Sequence, residues 1–310
     1  MAVKERQSSQ VVIKRQKSAA AAGVRGPASN RAASAGVGSK RTGVRILHGD
    51  CESIIKSGRV GRGTISLIFT SPPYADRRKG NYGGIHPDKY VEWFLPKAKS
   101  FQRCLRPDGS FVLNIKESAI NGERHTYVLD LIQALRGQGW RWVDEYVWCK
   151  KNCYPGKWPN RFRDSWERLL HFTLNNRFKM RQEAVMIPMG DWKHTRLKNM
   201  SETDRIRDTS RNGSGFGKRI ENWAGREMAY PSNVLHMSTE CGYKGHPAAF
   251  PVTLPDWFIR LFTDEGDCVL DPFAGSGTTL VAARNLKRRC MGIDTMREYC
   301  DLMRERLSGA

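Results

Sequence analysis

The sequence lacks the hallmarks of several broad protein classes. No apolar run reaches 18 residues, which excludes an ordinary membrane-spanning helix. None of the eight cysteines forms a Cys-x-x-Cys pair, and no His or Cys pair at zinc spacing accompanies Cys149 and Cys153. No apolar stretch typical of a secretory signal follows the first charges. We therefore expect reduced cysteines, no metal site, no export and no membrane partner.

Acidic residues are scarce relative to basic ones. The 310 residues include 52 Lys and Arg but only 31 Asp and Glu, so the net charge is +21. An excess of this size favours a polyanionic partner, most often nucleic acid. Because 39% of the residues are hydrophobic and 10% aromatic, the chain can also bury a sizeable core and is not wholly disordered.

The positive charge is concentrated first in the N-terminal segment. Up to residue 45 the chain has ten Lys and Arg against Glu5 alone, together with runs of Ala, Ser and Gly. A segment with so few large apolar residues cannot offset its own ordering entropy, so residues 1–43 are predicted to be a disordered basic tail. Three interpretations stay open: an arm that adds DNA affinity, an organelle transit peptide, and a leader without function.

From residue 44 onward, short apolar runs alternate with helical periodicity. Strands are predicted at 44–48, 65–69, 110–115, 140–149, 166–173, 268–271 and 289–293, and helices at 90–105, 127–138, 253–263, 278–286 and 296–307. This alternation predicts an α/β fold with a Rossmann-like, mostly parallel, doubly wound sheet.

Residues 150–230 interrupt the alternation. They contain 18 Lys and Arg against nine Asp and Glu, interleaved with aromatic residues. Positive charge mixed with aromatic rings suits contact with phosphates and stacking on bases. The alternative is a solvated insertion whose aromatic residues form a small core of their own.

The first motif that indicates chemistry is Asp271-Pro-Phe-Ala-Gly-Ser-Gly-Thr-Thr279, between a predicted strand and a predicted helix. Glycines at the end of a strand let the backbone approach a ligand, and the next helix begins with unpaired N–H groups. Asp294, at the end of the following strand, could accept hydrogen bonds from ribose hydroxyls. Leu280 occupies the third glycine position of the dinucleotide fingerprint, so a structural turn is the alternative.

The second motif is Thr70-Ser-Pro-Pro-Tyr74, directly after a buried strand. Two successive prolines remove two donors and leave the carbonyls of Ser71 and Pro72 able to accept hydrogen bonds. A hydroxyl, a rigid carbonyl and an aromatic ring could together hold a planar base that carries an amino group. A plain Pro-Pro turn is the alternative.

Together the motifs resemble those of the exocyclic-amino DNA methyltransferases that use S-adenosylmethionine. In that family the counterpart of Ser71–Tyr74 is the catalytic motif and the counterpart of Asp271–Thr279 is the cofactor motif. Here the catalytic motif comes first in the chain, which resembles the permuted order of the beta class and implies a permuted class I methyltransferase fold. Segments around Trp148–Asn152, Asn160–Arg163 and Glu167 look like the entry to a target-recognition region. The resemblance implies a catalytic part at 44–149, an inserted target-recognition region at 150–230 and a cofactor-binding part at 231–310.

Site residues follow from the resemblance. The implied catalytic residues are Ser71, Pro72, Pro73 and Tyr74. The implied cofactor-binding residues are Asp50, Thr70, His246, Pro247, Phe250, Asp271, Pro272, Phe273, Gly275, Ser276, Gly277, Thr278, Thr279 and Asp294.

No cysteine follows a proline, so the covalent route to carbon-5 methylation has no candidate nucleophile. Ser71 at the head of the catalytic motif resembles the enzymes that methylate the N4 amino group of cytosine by direct attack on a flipped-out base. N6-adenine methylation is the first alternative, and an RNA methyltransferase and a noncatalytic DNA-binding protein are more remote ones. The expected partners are double-stranded DNA, bound by residues 150–230 with the tail as a further candidate, and a cognate restriction endonuclease. The expected state is a cytoplasmic, nucleoid-associated monomer or homodimer.

Overall fold

The computed structural model describes residues 43–75, 84–153, 155–190, 226–239 and 250–308. The predicted tail, apart from Gly43, lies outside these ranges, as do two predicted site residues, His246 and Pro247.

The described ranges contain one eight-stranded sheet, six α-helices and three two-stranded ladders. The strands of the sheet are β1 (Val44–His48), β2 (Ile65–Thr70), β3 (Leu105–Ile115), β4 (Arg141–Lys150), β5 (Trp166–Thr173), β6 (Val234–Met237), β7 (Cys268–Asp271) and β8 (Arg289–Asp294). The helices are α1 (Cys51–Lys56), α2 (Pro87–Cys104), α3 (Tyr127–Gly137), α4 (Thr253–Phe262), α5 (Thr278–Asn285) and α6 (Arg297–Ser308). The ladders pair Ala119–Ile120 with Glu123–Arg124, Lys157–Trp158 with Arg161–Phe162, and Ile187–Pro188 with Met228–Ala229, and a 3-10 helix spans Gln182–Val185.

The strand order is β1-β8-β7-β2-β3-β5-β4-β6, and only β5 runs against the others within this sheet. The predicted mostly parallel α/β sheet is therefore confirmed. Strand β5 is antiparallel because the segment from β4 to β5 contains no crossover helix, so the chain re-enters the sheet beside β4 from the same edge.

Two hydrophobic cores cover the two faces of the sheet. One contains residues of α1, α2 and α3, including Tyr90 and Phe101, and the other contains residues of α4, α5 and α6, including Phe258 and Met303. Strand β2 supplies both, since Ile68 belongs to the first core whereas Leu67 belongs to the second. A strand covered on both faces explains why all six residues of β2 are buried and why it reads as a continuous apolar run.

Most element bounds agree with the predicted ones, but one α-helix and one strand of the main sheet were not predicted, nor were the three ladders and the 3-10 helix. Helix α1 has six residues and β6 has four, which is too short for a periodic signal. Strand β5 lies within 150–230 and is an interior strand of the eight-stranded sheet, between β3 and β4. The assignment of 150–230 to target recognition stays a prediction.

None of the helices in the described ranges is long and apolar enough to cross a bilayer. Within the same ranges, no three His, Cys, Asp or Glu side chains are grouped so that they could hold a metal ion.

Candidate active site

A cavity of about 870 Å³ lies at the carboxyl-terminal edge of the parallel strands. Its walls include the segments that follow β1, β2 and β7, together with Asp294 at the end of β8. Because β5 runs in the opposite direction, its amino-terminal end reaches the same edge and brings Glu167 into the cavity wall. The sheet therefore gathers the two sequence motifs and a buried carboxyl group around one space.

The aspartate of the first motif supports the loop from beneath. Asp271 is buried and accepts hydrogen bonds from Thr70 Oγ1 at 2.7 Å, Thr279 Oγ1 at 2.6 Å and the Phe273 amide at 3.1 Å. Burial raises the pKa of Asp271 to about 6, against the hydrogen bonds from Thr279 and Thr70, which lower it. These contacts join the end of β2 to the start of the cofactor loop and so hold the two motifs side by side.

The glycines of this motif allow a backbone that other residues rarely adopt. Gly275 and Gly277 have φ angles of +51° and +81°. A Cβ at Gly277 would also lie 2.7 Å from Met303 Cγ in α6. In the dinucleotide fingerprint a third glycine lets the helix pack closely on the strand. Here Gly292 of β8 allows that close packing, since a Cβ at this position would lie 2.8 Å from Leu280 Cδ2.

Asp294 fixes the same loop from the end of β8. Its Oδ2 accepts a hydrogen bond from the Gly275 amide at 2.9 Å, and its Oδ1 accepts one from the Met296 amide at 2.9 Å. Burial raises the pKa of Asp294, and the backbone hydrogen bonds oppose that rise. Each carboxyl oxygen has two lone pairs, so both retain capacity for hydroxyl donors from a ligand in the cavity.

Asp50 combines a helix cap with an ion pair. It is the N-cap of α1, and its Oδ1 accepts hydrogen bonds from the amide and hydroxyl of Ser53 at 2.9 and 3.0 Å. Its Oδ2 lies 3.6 Å from Lys97 Nζ, which also lies 5.0 Å above the ring of Trp93. Burial raises the pKa of Asp50, but the Ser53 hydrogen bonds and the Lys97 charge outweigh it, so the net shift is downward.

The catalytic motif forms a polar cluster after β2. Ser71 Oγ donates to Tyr74 Oη at 3.2 Å, and Tyr74 Oη donates to Glu167 Oε2 at 2.7 Å. Asn114 Oδ1, at the end of β3, lies 3.3 Å from the same hydroxyl. Burial and the adjacent Glu167 charge raise the pKa of Tyr74 well above its usual value, so the phenol stays protonated.

Two further contacts position this cluster. Tyr90 Oη of α2 donates to the Pro73 carbonyl at 3.0 Å and fixes the proline turn against the core. Lys150 Nζ donates to Glu167 Oε1 at 2.5 Å and lies 4.9 Å above the Trp148 ring. Glu167 thus pairs with the Lys150 cation through Oε1 and accepts a hydrogen bond from the Tyr74 hydroxyl through Oε2.

The cavity contains many, but not all, of the residues predicted from the sequence. The lining includes all four predicted catalytic residues and eight of the predicted cofactor-binding residues, namely Asp50, Phe250, Pro272, Phe273, Gly275, Ser276, Thr278 and Asp294. Thr70, Asp271 and Thr279 are buried behind this lining, and Gly277 serves the turn into α5. We therefore expect these four to shape the site from behind and direct cofactor contact to come from the eight lining residues.

Sequence reasoning assigned no role to Lys97 and Asn114 of the lining, and it assigned Lys150 and Glu167 only to the entry of a target-recognition region. Lys97 lies on a helix, Asn114 lies near the end of a buried strand, and Lys150 and Glu167 lie on paired strands. A polar residue at the carboxyl end of an apolar run was the available signal for Asn114. The resemblance marked Glu167 for target recognition, whereas its place in the cavity wall depends on the direction of β5.

The model of the DNA methylase family matches residues 65–305, more than half of the chain. The chain belongs to the DNA methylase family. It is a DNA methyltransferase of the N4-cytosine/N6-adenine class, whose cofactor is S-adenosylmethionine. The resemblance found in the sequence is thereby confirmed.

Relatives and solved structures agree with this family. The type II methyltransferase M.PvuII of Proteus hauseri is 30% identical over 260 residues, which cover 76% of each chain. M2.DpnII of Streptococcus pneumoniae is 29% identical over 255 residues, covering 79% of this chain and 82% of that one. The solved PvuII DNA methyltransferase (cytosine-N4-specific) superimposes with a TM-score of 0.64 at 24% identity, over 86% of this chain and 89% of that one.

A structure solved with the methyl donor shares the same fold. A DNA modification methylase of Thermus thermophilus, described as putative and solved in complex with S-adenosyl-L-methionine, superimposes with a TM-score of 0.55 at 22% identity. The match covers 86% of this chain and 93% of that one.

The residues of the cavity fit S-adenosylmethionine. The volume of about 870 Å³ falls within the range of about 300 to 1,000 Å³ typical of small-molecule sites. Aromatic walls from Trp93 and Phe273, whose ring centroids lie 5.7 Å apart, suit a purine. The buried Asp294 carboxyl group suits ribose hydroxyls, and the start of α5 faces the same space.

Proposed function

We propose that this enzyme methylates the N4 amino group of a cytosine that has been flipped out of duplex DNA. One observation supports the proposal most directly. The Ser71–Tyr74 motif and the Pro272–Thr278 loop line the same cavity, so an amino group and a methyl donor can meet there. S-adenosylmethionine supplies, when bound, a methyl group on positively charged sulfur.

The cofactor-facing residues divide into three groups. Asp294 would accept the ribose hydroxyls, and Gly275, Ser276 and Thr278 would hold the amino-acid end at the start of α5. Asp50, with Trp93 beside it, would bind the adenine edge and face. In these roles the hydrogen-bond acceptors of the lining face donors of the cofactor, and the aromatic rings of the lining face its purine.

The base-facing residues act on the amino group. A duplex cytosine has to leave the stack to reach a cavity at the sheet edge. Ser71 Oγ and the Pro72 carbonyl would accept the two amino hydrogens, while the Tyr74 ring packs on the base. These contacts draw the nitrogen lone pair out of conjugation and aim it at the methyl group.

Cytosine is favoured over adenine by two observations. The motif begins with Ser71, and M.PvuII, 30% identical over 260 residues, is the relative whose solved structure is named cytosine-N4-specific. N6-methylation of adenine is the second candidate, since the family model covers both amino acceptors. Both candidates use the same direct attack and differ in the base that the cavity accepts.

Product analysis tests the choice of base. Unmethylated, amplified genomic DNA is incubated with the enzyme and methyl-labelled cofactor and then digested to nucleosides. We expect N4-methyldeoxycytidine, and label found only in N6-methyldeoxyadenosine would refute the cytosine assignment.

Ser71→Ala tests the contact to the amino group. We expect the single-turnover rate to fall at least about tenfold, the equivalent of one hydrogen bond of roughly 1.4 kcal/mol, with cofactor affinity unchanged. Ser57→Ala, which removes a hydroxyl that donates to the Ile54 carbonyl and lies outside the cavity lining, is the matched serine control. Equal rates for the two variants would exclude Ser71 from the chemical step.

The partner DNA is proposed to contact the basic residues of 150–230. M.PvuII and M2.DpnII are named type II methyltransferases, so a cognate restriction endonuclease is part of the proposal. Protection of host DNA from a candidate nuclease in cells that express this chain is the direct test.

A further inference from the structure

A continuous line of hydroxyl and carboxyl groups leads from the catalytic motif into the protein. Ser71 Oγ lies 3.2 Å from Tyr74 Oη, which lies 2.7 Å from Glu167 Oε2. Ser71 is partly exposed to the cavity, whereas Glu167 is only 8% exposed. The line therefore joins the position of the target amino group to a nearly buried carboxyl group.

The donors in this line all point the same way. A tyrosine hydroxyl has a single hydrogen, and the 2.7 Å contact to a carboxylate is stronger than the 3.3 Å contact to Asn114 Oδ1. Tyr74 therefore donates to Glu167, and Ser71 donates to Tyr74. This direction leaves the lone pairs of Ser71 Oγ able to accept an N–H from the base.

Two lysines from different elements lie near Glu167. Lys150 Nζ of β4 lies 2.5 Å from Oε1, and the charge of Lys116, beyond the end of β3, interacts with the same carboxylate. Lys116 is itself paired with Asp164 at 3.4 Å. Two cations from two elements thus face one carboxylate, and Oε2, which accepts from Tyr74, is the oxygen that a proton passed along the line would reach.

We propose that Glu167 is the terminal acceptor of the proton that the target amino group loses on methylation. The nitrogen lone pair forms the bond to the methyl carbon, and the carbon–sulfur pair returns to sulfur. The amino proton passes to Ser71 Oγ, the Ser71 proton to Tyr74 Oη, and the Tyr74 proton to Glu167 Oε2. The products are a neutral methylamino group, a neutral sulfide and a neutral carboxylic acid, so charge and atoms balance.

This role supplies a base that the catalytic motif itself lacks. A serine hydroxyl is too weak a base to hold the proton, and Tyr74 is held in its neutral form by burial and by the Glu167 charge. Both hydroxyls therefore transmit a proton instead of storing it. Glu167 is a positioning and proton-accepting residue that acts through Tyr74, and the inference rests on the proposed amino-group methylation.

Glu167→Gln tests the inference, because glutamine keeps the volume and an acceptor for Tyr74 but cannot take up a proton. Single-turnover methylation of unmethylated genomic DNA is measured from pH 5 to pH 9. We expect the variant to be slower by about 10²- to 10⁴-fold, the range for general acid–base catalysis. We also expect the rate of the variant to depend less on pH than that of the wild-type enzyme, because a glutamine cannot exchange a proton with Tyr74.

Controls separate proton transfer from folding. Glu145→Gln is the matched control, since Glu145 on the neighbouring strand pairs with Arg168 and lies outside the cavity lining. We expect it to leave the rate and its pH profile unchanged. If the lone Lys150 charge unfolds Glu167→Gln, the double variant Lys150→Gln/Glu167→Gln removes both charges, and circular dichroism and cofactor binding by calorimetry confirm folding.

The outcomes distinguish the inference from the proposed function. A folded Glu167→Gln enzyme with the wild-type rate and pH profile would overturn the inference. Wild-type enzyme that yields N6-methyldeoxyadenosine would overturn the cytosine assignment, while the comparison of the two enzymes still decides the role of Glu167. Wild-type enzyme that methylates no amino group would overturn the proposed function itself.

Discussion

At the scale of single residues, one short motif contains side chains with two separate tasks. Gly275, Ser276 and Thr278 line the cavity, whereas Asp271 faces inward and holds the hydroxyls of Thr70 and Thr279. A carboxylate that anchors three hydrogen bonds beneath a loop preorganises that loop for a ligand. The aspartate of this motif therefore serves the geometry of the site more than contact with the cofactor.

Gly277 is expected to tolerate alanine poorly, for two separable reasons. Its φ of +81° is unfavourable for any Cβ, and that Cβ would lie 2.7 Å from Met303 Cγ. Gly58 has φ +82° with nothing within 4 Å, so Gly58→Ala carries the backbone cost of about 1 kcal/mol alone. We expect Gly277→Ala to lower the free energy of unfolding in urea by clearly more than Gly58→Ala. Equal losses of unfolding free energy in the two variants would show that Met303 moves aside without a free-energy penalty.

At the scale of elements, β5 decides how the site is assembled. Its antiparallel direction places Glu167 opposite Trp148 and beside the end of β3, at the edge where the parallel strands end. The same strand carries His171, whose ring lies 4.4 Å from that of Phe262 in α4 and whose Nε2 lies 2.9 Å from Ser110 Oγ. One strand thus links the catalytic cavity to the second hydrophobic core.

His171 is expected to make stability depend on pH. Burial lowers its pKa from 6.5 to about 3, so between these values the unfolded chain binds a proton that the folded chain does not. The free energy of unfolding therefore falls as pH falls through this interval, by about 1.4 kcal/mol per unit from this group. Phenylalanine suits the surrounding rings and does not titrate. We therefore expect His171→Phe to lack this part of the pH-dependent fall in the free energy of unfolding, as measured by urea unfolding at pH 7, 6 and 5. Parallel curves for the two proteins would contradict a neutral buried His171.

At the scale of the whole molecule, the charge is distributed unevenly. Residues 1–45 and residues 150–230 each have nine more basic than acidic side chains, which accounts for most of the net charge of +21. The remaining chain, which includes the catalytic motif and the cofactor loop, is close to neutral. Most of the net positive charge and the two motif loops therefore lie in different parts of the sequence.

Removal of residues 1–40 is expected to weaken nonspecific DNA binding. Each cation that contacts a phosphate releases counterions and contributes about 0.9 to the slope of log K against log salt concentration. We expect the shortened chain to show a smaller slope and weaker binding at low salt, with unchanged cofactor affinity. Identical salt dependence for both chains, measured by fluorescence anisotropy on duplex DNA, would leave the transit-peptide and leader interpretations.

The sequence alone determined the α/β class, most strand and helix bounds and the two motif loops, because periodicity and turn chemistry are local properties. Pairing across the chain depended on the tertiary structure. Thr70 contacts Asp271 across 201 positions, and Tyr74 contacts Glu167 across 93. Strand order and direction determine such contacts, and the hydrophobic pattern of β5 does not reveal that the strand is antiparallel. The sequence therefore located the methyltransferase motifs, and only the fold placed a buried carboxyl group beside them.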